Sequence, residues 1–117
     1  MEILIETTPH SVSVRLMNET ELGVCTITTG LTPTIHFYID SGYVEYTMLM
    51  ISKTCSLVKS YFNDSHRIYV DADASEGLWD KLGFIENPLY EFTEDQRHLE
   101  GAGYEKYILF GSLCMFI

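Results

Sequence analysis

The feature that most restricts this chain is a change of hydrophobic period near residue 40. Up to Ile39 apolar side chains alternate with polar ones; beyond it they recur every three or four residues. A period of two puts side chains on opposite sides of an extended strand, and a period near 3.6 gathers them on one side of a helix. A chain that carries the two in succession builds a sheet first and then lays helices against it, which is the α+β class. In the first part, residues 2–7 carry Ile3 and Ile5 on one side and Leu4 on the other, and Pro9 ends the run. Ser11 to Met17 sets Val12, Val14 and Leu16 against Ser11, Ser13 and Arg15. After an Asn18–Glu21 turn, Leu22 to Thr29 alternates again, and Thr34 to Ile39 follows a Gly30–Pro33 turn. Short strands at such spacing predict an antiparallel meander over residues 1–39.

The later pattern predicts helices and returning strands. Val44, Met48, Ile51, Cys55, Val58 and Phe62 fall on one stripe of a helix over 43–62, about five turns at ~3.6 residues per turn. Asp40-Ser41-Gly42 is placed to cap its start and Asn63-Asp64-Ser65 to end it. Arg67 to Val70 reads as a strand, and Glu76 to Leu82 as a short helix closed by Gly83. Leu89 to Phe92 and Tyr104 to Phe110 read as two further strands separated by a polar loop. The expected order is β-β-β-β-α-β-α-β-β in one domain over 1–117. Its C-terminal half spans 66–110 and an apolar tail spans 111–117. A helix between the fourth and fifth strands makes those two parallel, and the rest of the mixed sheet is antiparallel.

Charge narrows the partners. Seventeen acidic residues against seven basic ones give −10. Nucleic acid and anionic lipid both require clustered Lys and Arg, so both are excluded as expectations, and a cationic protein or amine fits better. Ten acidic and two basic residues lie between Asp71 and Glu105, so that stretch carries −8 of the total. No apolar run approaches the ~18 residues of a membrane span, and Met1 to Glu6 lacks the basic start of a leader. Cys25, Cys55 and Cys114 are odd in number and far apart, which reads as reduced thiols in an intracellular, cytoplasmic setting. His10, His36, His66 and His98 are equally scattered and form no metal box, so no metal is expected.

Residues 68–84, Ile-Tyr-Val-Asp-Ala-Asp-Ala-Ser-Glu-Gly-Leu-Trp-Asp-Lys-Leu-Gly-Phe, carry a resemblance. A strand ends in a polar turn, a short helix bears an aromatic residue, and the helix stops at Gly83-Phe84. This resembles the second half of the GCN5-related N-acetyltransferase (GNAT) family, over roughly residues 66–110. The Asp-Ala-Asp-Ala-Ser…Gly-x-Trp combination also resembles small GNAT-like proteins of large DNA viruses, which implies a virion-associated setting as well as a cytoplasmic one. The family resemblance implies that the parallel fourth and fifth strands splay apart and admit the pantetheine arm of acetyl-CoA. The pyrophosphate then rests on backbone N–H groups where the next helix starts.

Carried onto this chain, the resemblance makes Phe37, Ile39, Gly42, Tyr43, Val44, Ser75 and Trp79 the cofactor-binding candidates. Gly42 stands for the first glycine of the phosphate turn, while Ile39 and Val44 replace the family's Arg or Gln and its second small residue. Asp40 and Glu45 put negative charge beside it. Trp79 occupies the place where the family often has a Tyr acid. An indole N–H cannot serve as an acid near neutral pH, so Tyr104, with Tyr90 and Tyr107 behind it, is the substitute. The competing reading of Trp79 is a core aromatic under the sheet. His36 is the candidate general base, ahead of Asp40 and Asp71, because imidazole is the side chain suited to proton exchange near neutrality. Its competing reading is a satisfied strand histidine. Only Thr8, Pro9 and His10 separate the first two strands, so the two front helices of the family, which help hold the acceptor amine, are lacking. The acceptor site then has to come from elsewhere, such as a second subunit. Two functions follow: a non-catalytic binding or structural module, or a minimal acetyl-CoA-dependent N-acetyltransferase acting on a cationic amine or basic peptide. The tail 111–117 is the expected self-association surface.

Overall fold

A computed structural model describes residues 1–71 and 77–115. Four antiparallel strands come first: β1 (Glu2–Thr8), β2 (Ser11–Asn18), β3 (Thr20–Thr28) and β4 (Ile35–Ile39). β2 turns into β3 through Glu19, whose φ of 67° holds the tight reversal. A 3₁₀ turn over Ser41–Tyr46 leads into α1 (Thr47–Val58). Then come β5 (Arg67–Val70), α2 (Leu78–Lys81), β6 (Ile85–Glu86), β7 (Lys106–Leu109) and α3 (Phe110–Met115). β5, β7 and β6 form a second antiparallel sheet in that spatial order. The two sheets meet where Thr34 bridges Tyr69 in parallel, with the Tyr69 N–H donating to the Pro33 carbonyl at 2.9 Å. The molecule is therefore an α+β fold with mostly antiparallel pairing, and β1 and β6 lie at opposite ends of the strand order.

One face of this surface holds the core. Val12, Val14 and Leu16 of β2, Cys25 and Ile27 of β3, and Ile35 of β4 are all buried on it. α1 lies over β2 and β3 and buries Met50, Ile51, Thr54, Cys55 and Val58. Thr54, the polar member, donates its hydroxyl to the Met50 carbonyl at 2.7 Å, so its burial leaves nothing unsatisfied. Ile68, Val70, Trp79, Leu82, Phe84, Ile108, Phe110 and Leu113 continue the same core.

Several boundaries differ from the sequence expectation. The helix expected over 43–62 is a 3₁₀ turn and three turns of α-helix. Of its stripe, Ile51, Cys55 and Val58 are buried and Phe62 packs against the core, but at the N-terminal end Val44 and Met48 are exposed and Met50 is buried instead. Both phases are apolar in this region, and contact with β2 and β3 selects one of them. Asp40 begins the turn without capping it, because its carboxylate accepts the Tyr38 hydroxyl instead. The strand expected at Leu89–Phe92 is a turn, and β6 falls earlier, at Ile85–Glu86. Asn87 explains the shift: its side chain donates to the carbonyls of Gly101 (2.7 Å) and Tyr104 (2.9 Å) and accepts the Leu89 N–H (3.1 Å), which ties down a loop at this point. The strand expected over Tyr104–Phe110 is confined to Lys106–Leu109. Residues Phe110–Met115 form α3, with Phe110 and Leu113 buried and Met115 exposed, while Phe116 and Ile117 of the expected tail lie outside the described residues. α2 ends as expected: Gly83, at φ 95°, donates to the Asp80 carbonyl and Phe84 to that of Trp79.

Candidate functional site

The face opposite the core presents a row of hydroxyl residues across the four-stranded sheet, continued on the second sheet by two tyrosines and Ile85. Register sets Thr8 against Ser11 and Ser11 against Thr28. Thr28 meets Thr34, Thr34 meets Tyr69, Tyr69 pairs with Tyr107, and Tyr107 pairs with Ile85. Hydroxyls bond along it: Thr8 to Ser11 at 2.9 Å and Thr28 to Thr34 at 2.9 Å, with Ser13 to Thr26 at 2.8 Å in the next row. Cross-strand hydroxyl pairs of this kind each add to the stability of the sheet.

His36 stands on this face, exposed, opposite Thr26 and next to Thr34. Its Nε2 lies 3.4 Å from the Thr34 hydroxyl, at the outer limit of a hydrogen bond. That hydroxyl is buried and already shared with Thr28, so it is not an activated nucleophile. Continuing the Thr34–Tyr69 register by two residues sets His36 level with Asp71 across the β4–β5 junction. No ion pair joins them among the described residues. Among the described residues the two strands share that single bridge and no further ladder.

On the β5–β7 side, Tyr69 is buried and its hydroxyl donates to Glu100 at 2.9 Å. Burial first, and then that bond, push its phenol up to about 12. The Arg67 guanidinium lies 5.2 Å from the centre of the Tyr107 ring, within cation–π range. Tyr104, the expected acid, sits beside Tyr69 with ring centres 6.0 Å apart. Arg67 and Glu100 also line an open depression of about 220 Å³ with Asn63, Ser65 and His66. There the His66 Nδ1 accepts the Asn63 N–H at 2.9 Å, which leaves the proton of a neutral ring on Nε2. Nothing in the spacing of Arg67, Tyr69 and Glu100 announces this cluster, since Glu100 reaches Tyr69 only through the long 87–104 loop.

The remaining candidates are dispersed. Phe37 and Ile39 are half-buried and pack against the core, as does Tyr43 at the kink of the 3₁₀ turn, where φ is −129°. Gly42 and Val44 are exposed in that turn. Trp79 is 3% exposed, its ring set edge-on to Phe84 at 5.1 Å, so it belongs to the core. Ser75 lies outside the described residues. Cys25 and Cys55 are buried and their thiols are raised, to about 12 for Cys25, chiefly by desolvation, so neither is poised as a nucleophile. Among the described residues no group of three His, Cys, Asp or Glu side chains is placed to hold a metal, and no helix is long and apolar enough to cross a membrane. Compared with known proteins, the chain matches no family model, no curated protein and no solved structure.

Proposed function

We propose that this chain is a divergent GNAT-fold protein that acts as a non-catalytic binding or structural module for a cationic protein or amine. The parallel Thr34–Tyr69 bridge, which joins the β4 and β5 segments, supports the fold half of the reading. The observation that carries the functional half is the packing of Trp79. The position that would bear the proton donor is spent on core contacts with Phe84. The turn after β4 points the same way. Asp40 and Glu45 bring negative charge to the place where a pyrophosphate would lie, and like charges at close range disfavour it. The acidic 71–105 stretch supplies the attraction for a cationic partner.

A second reading, a minimal acetyl-CoA-dependent N-acetyltransferase, draws support from the register that sets His36 level with Asp71. Thermal unfolding with acetyl-CoA and with CoA separates the two, because a ligand bound to the native state raises the transition by mass action. An unchanged transition at millimolar ligand sinks the enzyme reading. A shift abolished by Gly42→Glu places the cofactor at the turn; a Cβ there meets nothing within 4 Å, so the fold survives the change. Acetyl transfer to a polyamine or basic peptide overturns the non-catalytic reading.

A further inference from the structure

β1 forms the free edge of the four-stranded sheet, and all seven of its residues are exposed. Ile3, Leu4 and Ile5 are 41%, 44% and 47% exposed, although Ile3 and Ile5 stand on the same face as the buried Leu16 and Val14 opposite them. α1 covers β2 and β3 and stops short of β1. Long, apolar, unpaired edges template pairing with another strand, and natural sheets usually blunt them with charged side chains, Lys above all, with Pro or with a bulge. Residues 2–8 contain no Lys, Pro or bulge, and their two charges, Glu2 and Glu6, flank the apolar Ile3-Leu4-Ile5 without interrupting it; β1 runs in unbroken register with β2.

We propose that β1 is a homodimer interface, pairing antiparallel with β1 of a second copy about a two-fold axis at Leu4. The segment Glu2-Ile3-Leu4-Ile5-Glu6 reads the same in both directions. A two-fold axis at Leu4 therefore sets Leu4 against Leu4 and each Ile3 against the Ile5 of the other copy, a self-complementary patch of the kind a closed dimer requires. Shifting the axis to Ile3 or Ile5 opposes Leu4 to a glutamate, so the apolar match selects the Leu4 register.

Charge agrees with a second copy as the occupant. The 71–105 stretch holds −8 of the −10, leaving −2 for the rest of the chain. Its described elements lie at the end of the strand order away from β1, in a molecule 47 Å long. Pairing at β1 keeps those acidic ends outermost, well beyond a Debye length of about 8 Å. The register places Glu2 across from Glu6 of the other copy, a like-charge contact that opposes pairing, and Arg15, which also engages Glu21, offsets it in part by holding Glu6 at 2.9 Å. The product is a continuous eight-stranded meander with both β1 edges closed.

Sedimentation equilibrium on the full chain tests the proposal, with Leu4→Glu as the perturbation and Leu31→Glu as the control. Leu31 is 96% exposed outside the strands, so its substitution changes charge equally without touching β1. The expected result is a dimer for the parent and for Leu31→Glu, and a monomer for Leu4→Glu with unchanged circular dichroism. A disulfide formed on mild oxidation by Leu4→Cys in a Cys114→Ser background, and not by Thr7→Cys in the same background, fixes the register. A monomeric parent at hundreds of micromolar overturns the proposal, as does a dimer that survives Leu4→Glu or cross-links equally through residue 7.

Discussion

Replacing Gly101 with alanine tests how the 87–104 loop is locked onto the sheet. Gly101 sits at φ 80°, and a Cβ there would come within 2.1 Å of the Tyr69 Cε1 and 2.3 Å of its Cζ. Two costs add. The left-handed backbone conformation costs an L-residue about 1–2 kcal/mol. Forcing an extra carbon against a buried ring costs about 1–3 kcal/mol, because Tyr69 cannot swing away without giving up its bond to Glu100 and its place between Tyr104 and Tyr107. The sum is about 2–5 kcal/mol, on the order of a 10 °C fall in Tm for a domain of this size. Gly103→Ala is the matched control. It lies in the same loop at φ 87°, but its Cβ would meet only Phe92, at an ordinary 3.4 Å, so it incurs the backbone cost alone. Urea denaturation of both variants, with and without Tyr69→Ala, measures the steric part as a coupling energy. Equal destabilisation by the two glycine replacements, or strict additivity with Tyr69→Ala, would refute the packing of the Tyr69 ring on Gly101.

Two further outcomes follow from ionisation and burial. The Tyr69 phenol is raised to about 12 in the folded protein against an ordinary value of 10.0, so the native state holds its proton more tightly than the unfolded chain. Its contribution to stability is complete below about pH 10 and is lost as pH rises towards about 12. Urea midpoints across that window fall for the parent and fall less steeply for Tyr69→Phe; Cys25, Cys55, Cys114, Tyr38 and Lys106, all raised, act in the same sense and leave a residual slope. Identical slopes would exclude a Tyr69 contribution. With a thiol reagent at neutral pH, Cys114, half-buried on α3, reacts first, and Cys25 and Cys55 react only after unfolding. Rapid modification of all three in the native protein would contradict their burial.

The first half of the fold was legible because its signal is local. Val12, Val14 and Leu16 alternate with polar neighbours, and no other conformation buries all three together. Gly83 likewise marks the end of α2, since only a residue at ease with φ 95° closes that turn. The buried face at the start of α1 was not legible, although Ile51, Cys55 and Val58 further along it were. Val44, Met48, Leu49, Met50 and Ile51 are all apolar, so several stripes fit, and contact with β2 and β3 decides for Met50. The tail was equally ambiguous: a six-residue helix has no stability of its own and forms because Phe110 and Leu113 find the core. Among candidate site residues, His36 was readable as a strand histidine. Its position level with Asp71 depends on the Thr34–Tyr69 bridge, which closes 35 residues of chain. The Arg67–Tyr69–Glu100 cluster depends in turn on how Asn87 ties the loop. By itself, the sequence determined the period-two meander, the location of the charge and the palindrome of residues 2–6. Tertiary structure alone decided which apolar faces are covered. Alternation is written residue by residue, whereas cover requires a partner surface, and here α1 reaches β2 and β3 and leaves β1 bare.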